Sequence, residues 1–139
     1  MKKKVRITRV PFPLGGGKDN DITSINIKKQ SYQEQILNKA FKFHSEGNIS
    51  EAAKYYKYFI DQGFNDHRVF SNYGVVLKNL GKLEEAEQST RKAIELNPNF
   101  SMAHSNLGNI LSYLGKLKGA ELSTRKAIEL NPHLAMAHS

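Results

Sequence analysis

Apolar residues in the stretch 101–134 recur at the spacing of two successive α-helices. Those of the first helix are Leu107, Ile110, Leu111 and Leu114. Gly115 interrupts the pattern, and a second set of periodic apolar positions runs over residues 117–130. Pro132 ends this second stretch, because the residue before a proline avoids the α-helical region. The pattern therefore predicts a pair of helices joined by a short turn.

The same pattern is repeated along the chain with a period of 34 residues. Residues 67–100 align without gaps on residues 101–134, and 20 of the 34 positions are identical. A divergent unit, residues 33–66, precedes them with six identities to the second unit, and residues 135–139 begin a fourth unit. Such a period predicts a stacked helical repeat, in which each unit buries its apolar face against the next.

These units resemble the tetratricopeptide repeat (TPR), which has Leu-Gly in its first helix, two alanines in its second and a proline near its end. The matching residues are Leu107, Gly108, Ala120, Ala127 and Pro132 in the third unit and Gly74, Ala86, Ala93 and Pro98 in the second. Small side chains suit such sites, because larger ones would push the helix axes beyond about 8–10 Å. The resemblance covers residues 33–139. It implies an all-α fold of three antiparallel helix pairs stacked in a right-handed superhelix.

The resemblance is incomplete at two places. The large aromatic residue that usually follows the first alanine by four positions is Thr90 in the second unit and Thr124 in the third. The first unit carries Phe59 in place of the second alanine and Phe64 in place of the proline. We therefore expect the first unit to be TPR-like, with packing that differs from the consensus.

Residues 1–31 follow a different pattern from the repeats. Pro11, Pro13 and the glycines at 15–17 oppose a long helix. Isoleucines at 22, 25 and 27 suit short extended segments, or they can pack on the first repeat. Eight basic and two acidic residues give this stretch a charge of +6, out of +8 for the whole chain. We expect a basic, mostly irregular tail over residues 1–31, ahead of the repeat array at 32–139.

Asparagine occupies the sixth position of every unit, as Asn38, Asn72 and Asn106. Asparagine is a weak helix former, so helix propensity does not explain this recurrence. In the TPR geometry this position faces the concave surface. A carboxamide offers a donor and an acceptor to the backbone of an extended peptide. First helices about 10 Å apart would match about three residues of such a peptide.

The sequence around Asn106 is similar to the asparagine ladder in the TPR arrays of O-linked N-acetylglucosamine transferases. This resemblance implies that one asparagine per unit forms hydrogen bonds with a peptide backbone. The alternative is that asparagine only keeps an exposed groove polar.

Further side chains should lie beside the asparagines on the concave face. They are Glu34, Leu37, Phe41 and His44 in the first unit, Arg68, Ser71, Val75, Lys78 and Asn79 in the second, and Met102, Ser105, Asn109, Ser112 and Tyr113 in the third. Among them we expect Arg68, Lys78, Asn109 and Tyr113 to contact a peptide. Some TPR co-chaperones hold a C-terminal carboxylate with Lys, Asn, Asn, Lys and Arg. The corresponding residues are Leu37, Phe41, Asn72, Met102 and Asn106. Since only Asn72 matches, recognition by that clamp is not expected.

No residue pattern predicts catalysis, a metal site or a cofactor. The chain has no cysteine. His104 and His138 share a repeat position, but equivalent atoms one repeat apart lie too far apart to share a zinc ion. The sequence Gly15-Gly16-Gly17-Lys18 lacks the first glycine and the Ser or Thr of a phosphate-binding loop. We therefore expect a non-enzymatic protein without cofactors.

The combined patterns predict a TPR module that binds a protein or an extended peptide segment along its concave groove. One alternative is the N-terminal, substrate-selecting part of a larger enzyme, such as a glycosyltransferase. Another is association with nucleic acid through the basic tail, which is disfavoured because that tail offers no stacking platform of aromatic residues. The sequence predicts no membrane span and no secretory signal, and we expect a cytoplasmic location. The apolar residues Leu122, Ile128 and Leu130 should form an uncovered C-terminal edge, through which the chain can self-associate.

Overall fold

The computed structural model describes residues 22–133 as six α-helices and their connections, with side chains described from Thr23 onward. The helices are α1 (Ile22–Ser45), α2 (Ile49–Asp61), α3 (His67–Asn79), α4 (Leu83–Leu96), α5 (Ser101–Tyr113) and α6 (Leu117–Leu130). Consecutive helices form three antiparallel pairs, α1 with α2, α3 with α4 and α5 with α6, and α3 also contacts α5. No strand occurs within residues 22–133, so the all-α prediction is confirmed.

The turn between the two helices of each pair is the same in all three units. Gly47, Gly81 and Gly115 adopt φ values of 78°, 81° and 79°, which residues other than glycine rarely adopt. The residue after each glycine donates its backbone N–H to a carbonyl five residues earlier: Asn48 to Phe43, Lys82 to Leu77 and Lys116 to Leu111, at 2.9, 2.8 and 2.8 Å. These bonds satisfy carbonyls that the end of a helix leaves unpaired.

A glycine of the first helix, Gly74, lies where the two helices of the second pair, α3 and α4, are in contact. A β-carbon on Gly74 would stand 3.2 Å from the carbonyl oxygen of Ala86, and closer still to Oγ1 of Thr90. Thr90 is fully buried, and its hydroxyl donates to the Ala86 carbonyl at 2.8 Å. Threonine therefore fills, beside a glycine, the position where the repeat usually has a large aromatic ring.

The first unit forms a helix pair with an aromatic interior, as expected for a divergent repeat. Phe59, at the position of the second alanine, is 1 % exposed, and its ring meets Phe64 edge-on at 5.2 Å. The buried core of this region is Tyr32, Ile36, Leu37, Ala40, Ala52, Tyr56, Phe59, Val69 and Val76. Two of these residues, Val69 and Val76, belong to α3, so the first core also joins the first unit to the second.

Residues 22–31 are helical, so the prediction of irregular structure for them is wrong. Helix α1 begins at Ile22, because no proline or glycine interrupts the chain from there to residue 45. Tyr32 anchors this longer helix, with its ring edge-on to Phe64 and its hydroxyl bonded to that of Tyr58. Ile25 and Ile27 are 49 % and 60 % exposed, so they do not pack on the first repeat. The rest of the predicted tail, residues 1–21, lies outside the described residues, as do 134–139.

The two ends of the described stack differ in polarity. On α3, Val69, Tyr73 and Val76 pack against the core of the first unit. The equivalent residues of α1, 34 positions earlier, are Gln35, Lys39 and Lys42, and all three are exposed. This face of α1 is therefore polar where the equivalent face of α3 is apolar, so its exposure to water costs little.

The opposite end, on α6, remains apolar. Ile94 of α4 packs against α5 and α6 through a cluster with Leu107, Leu111 and Ala120. Its copy on α6, Ile128, is 39 % exposed, and Leu122 is 64 % exposed. The expected uncovered edge is thus present at these two residues, whereas Leu130 is only half-exposed.

Candidate functional site

The first helices α1, α3 and α5 present the surface on which the sequence places its candidate residues, and we call it the first-helix face. Of the seven candidates, Asn38, Arg68, Asn109 and Tyr113 are exposed, and Asn72, Lys78 and Asn106 are half-buried. Two neighbours expected on the same face are instead buried, with Leu37 8 % and Ser71 1 % exposed. Leu37 belongs to the core of the first unit, so the fifth position of that unit points inward.

Asn106 is bonded to the preceding unit. Its Nδ2 donates to Oγ of Ser71 at 2.9 Å, linking α5 to α3. This bond uses one of the four hydrogen-bonding positions of a carboxamide. The carbonyl oxygen and the second amide hydrogen of Asn106 have no partner within the described part of the chain.

Asn72 also contacts the preceding unit, through Tyr56 of α2. The phenol oxygen of Tyr56 lies 2.8 Å from Nδ1 of His44 and also bonds the Asn72 side chain. Burial raises the pKa of Tyr56 to about 12, although the bond from Asn72 works in the opposite direction. The phenol is therefore neutral at pH 7. It accepts a hydrogen bond from the Asn72 amide and forms a second hydrogen bond with Nδ1 of His44.

The structure suggests a second explanation for the recurring asparagine, besides the peptide binding predicted from the sequence. Asn72 and Asn106 each bond a side chain of the unit before them, whereas Asn38, on the first described helix, is exposed. One role of the asparagine is thus to tie neighbouring units together. The sequence could not reveal it, because the partners, Tyr56 and Ser71, occupy different positions of their units and lie 16 and 35 residues away.

Two cations of the first-helix face lie over aromatic rings. The guanidinium carbon of Arg68 stands 5.5 Å from the ring centre of Phe41, and Nζ of Lys78 stands 5.3 Å from that of Tyr113. Arg68 is also paired with Asp66, through bonds of 3.1 and 2.7 Å to its two carboxylate oxygens. Asp66 in turn caps α3 by accepting from the backbone N–H of Arg68 at 2.8 Å. The charge of Arg68 is therefore compensated.

The burial of His44 makes the stability of the fold depend on pH. Burial lowers the pKa of His44 below its ordinary value of 6.5. As pH falls through 6.5, the unfolded chain takes up this proton first, so the free energy of unfolding decreases toward the lower native pKa. Above pH 6.5 this group does not change the free energy of unfolding. Urea unfolding followed by circular dichroism should show the loss between pH 7.5 and 5, at up to about 1.4 kcal/mol per pH unit.

The control for this pH dependence is His44→Gln, which keeps a polar group near Tyr56 but cannot titrate. We expect a smaller loss of stability for this variant over the same pH range. An equal loss in both proteins would mean that other groups cause the pH dependence.

No metal site is found in residues 22–133, since no three His, Cys, Asp or Glu side chains come together there. His104 instead bonds the carbonyl of Pro98 through Nε2 at 2.8 Å, as a polar side chain at a helix boundary. Its repeat partner, His138, lies outside the described residues. None of the six helices is long and apolar enough to cross a membrane.

Comparison with known proteins identifies the repeats. Tetratricopeptide-repeat family models match residues 67–100 and residues 90–121. The first match coincides with the second unit of the sequence, and the two together span the junction with the third. None of the curated proteins matches the chain in sequence.

Several solved TPR structures have a similar fold. The first TPR of Spaghetti (RPAP3), bound to the HSP90 peptide SRMEEVD, is 25 % identical with a TM-score of 0.67, covering 72 % of this chain and 79 % of that one. PcrH from Pseudomonas aeruginosa is 25 % identical with a TM-score of 0.66, over 72 % and 76 % of the two chains. The TPR domain of Arabidopsis OM64 is 20 % identical with a TM-score of 0.70, over 73 % and 84 %.

Residues 67–121 therefore match tetratricopeptide repeats, and residues 22–133 fold as a solenoid of TPR-like helical hairpins.

Proposed function

We propose that this chain is a protein-binding module that holds an extended peptide segment on its first-helix face. The observation that carries the proposal is the partly used carboxamide of Asn106, which keeps a donor and an acceptor beside its bond to Ser71. An extended backbone offers the complementary pair of groups. The first TPR of RPAP3, to which this chain is similar, is bound to a peptide, and this supports the same class of ligand here.

Exposed side chains next to the asparagines suit contact with the ligand's own side chains. Met102 is 47 % exposed and Tyr113 is 67 % exposed, and both lie on α5 with Asn106. Aromatic residues and methionine are enriched at protein interfaces, because they supply large contact areas with few rotatable bonds or an adaptable shape. Backbone contacts through asparagine would tolerate many sequences, so such side chains would provide the selectivity.

The carboxylate clamp of some TPR co-chaperones does not suit this groove. Two of its five positions are Leu37, which is buried, and Phe41, which lies under the guanidinium of Arg68. Neither offers a donor to a terminal carboxylate. We therefore expect binding through the peptide backbone and side chains, and the similarity to the asparagine ladder of the glycosyltransferases remains a hypothesis for this mode.

The test compares two variants that break the same internal bond. Heptapeptides selected from a displayed random library against the chain serve as ligands. Asn106→Ala removes both the bond to Ser71 and the free carboxamide groups, whereas Ser71→Ala removes only the bond. We expect Asn106→Ala to weaken peptide binding about fivefold, the equivalent of about 1 kcal/mol per lost hydrogen-bonding pair, and Ser71→Ala to weaken it less than twofold.

Equal losses in the two variants would show that Asn106 acts only by joining the units. Failure to select any peptide would contradict the proposed function itself. Circular dichroism of both variants confirms that the helices are intact.

The two alternatives, a substrate-selecting part of a larger enzyme and nucleic-acid association through the tail, draw no support from residues 22–133. Self-association through Leu122 and Ile128 remains a prediction, which sedimentation velocity of the chain would check.

A further inference from the structure

Charge is distributed unequally between the first and second helices of the units. The first helices carry six basic residues, Lys28, Lys29, Lys39, Lys42, Arg68 and Lys78, and a single acidic one, Glu34. The second helices carry eight acidic residues, Glu51, Asp61, Glu84, Glu85, Glu87, Glu95, Glu121 and Glu129, and seven basic ones. The net charges are therefore +5 and −1. Lys39 and Lys42 lie on the polar end of the stack, so the basic residues next to α5 are those of α3, Arg68 and Lys78. Positive charge there favours anionic ligands.

Lys78 is the uncompensated cation at the junction of α3 and α5. No carboxylate of residues 22–133 forms an ion pair with it, and neither α3 nor α5 contains an acidic residue. Arg68, the other cation of α3, is by contrast paired with Asp66 at 2.7 Å. Lys78 is held by the ring of Tyr113, with its Nζ 5.3 Å from the ring centre. A cation over an aromatic ring keeps its full charge for a further, anionic partner.

Polar groups of α5 lie on the same side as Tyr113. Asn109, Ser112 and Tyr113 are spaced three and four residues apart, which brings them to one side of the helix. Asn109 and Ser112 are exposed. Their amide and hydroxyl groups are hydrogen-bond donors. The ammonium of Lys78 is a mobile point charge that offers three further N–H donors. A carboxylate with two oxygens can be satisfied by such a set.

We propose that Lys78 and Tyr113, with Asn109 and Ser112 beside them, form a subsite for the carboxylate of an Asp or Glu side chain in the bound peptide. This inference rests on the proposed function and adds a preference for acidic segments. Lys78 is not one of the five positions of the C-terminal carboxylate clamp. The subsite therefore recognises a side chain within the segment, and a free C-terminus is not needed.

The experiment uses amidated heptapeptides from the random-library selection, so that no terminal carboxylate is present. A peptide that contains Glu is compared with its Gln isostere, by fluorescence anisotropy at low salt, on the wild-type chain and on Lys78→Met. We expect the Gln peptide to bind the wild type about five- to tenfold more weakly, and Lys78→Met to bind the two peptides equally. Lys78→Arg, which keeps the charge, should retain most of the preference.

The matched control is Lys126→Met on α6, which changes the net charge by the same amount on a second helix. Lys126 is exposed and forms no ion pair in the described part of the chain. It should leave the preference for Glu unchanged.

Three results would overturn the proposal: equal binding of the two peptides by the wild type, an equal loss of preference in Lys126→Met, or selected peptides without acidic residues. In each case, binding that remains sensitive to Asn106→Ala would leave the proposed function standing. If no peptide is selected at all, both ideas fail together.

Discussion

Replacing Gly74 with alanine should lower the free energy of unfolding by about 2–3 kcal/mol, because the added methyl group has no space. Its β-carbon would stand 3.2 Å from the backbone carbonyl oxygen of Ala86 and would overlap Oγ1 of Thr90. The carbonyl belongs to α4 and cannot move alone, so α3 and α4 must separate. Urea unfolding followed by circular dichroism measures the loss.

Two further variants show whether this close approach is the cause. Gly119→Ala meets only the flexible end of Leu111, at 3.1 Å, and the equivalent residue of the second unit is Glu85, so a side chain fits there. Helix propensity should make this control neutral or more stable by up to about 1 kcal/mol. Combining Gly74→Ala with Thr90→Ala should cost less than the sum of the two single losses, because the overlapping hydroxyl is gone. A stability of Gly74→Ala within about 0.5 kcal/mol of the wild type would contradict the packing described.

Replacing Phe59 with alanine should lower the free energy of unfolding by about 3–5 kcal/mol, although alanine is the repeat's usual residue there. Phe59 is 1 % exposed and pairs edge-on with Phe64, so its removal leaves a cavity between α1 and α2. The same unfolding measurement applies. If the alanine variant does not fold, Phe59→Leu, which should cost about 1–2 kcal/mol, provides the comparison.

The reciprocal change, Ala93→Phe, is the matched control for this position. Ala93, in the second unit, is completely buried in a cluster with Phe70 and with Ala103 of the third unit, so a phenyl ring there would overfill the site. We expect a loss of about 1–3 kcal/mol or more. Tolerance of both changes would show that the first and second units pack interchangeably, against the difference in their cores.

The repeats themselves follow from the sequence. A period of 34 residues, the helical spacing of apolar positions and the recurring glycines at 47, 81 and 115 are local features, and helices and their turns form from local interactions. The sequence also predicted close helix packing at Gly74, because a small residue recurs there, and an uncovered edge at Ile128, because each unit of a solenoid buries its apolar face on the next. The prediction of irregular structure for residues 22–31 was wrong, because it gave too much weight to the prolines and glycines that precede them.

The tertiary structure decided which groups of the first-helix face remain available to a ligand. The bonds of Asn106 to Ser71 and of Asn72 to Tyr56 join different units, so neither can be read from the period of one unit. The same holds for Lys78 and Tyr113, which are 35 residues apart and meet only because α3 and α5 stack side by side. Contacts between units depend on the rotation of each helix about its axis, and the packing of the whole core sets that rotation.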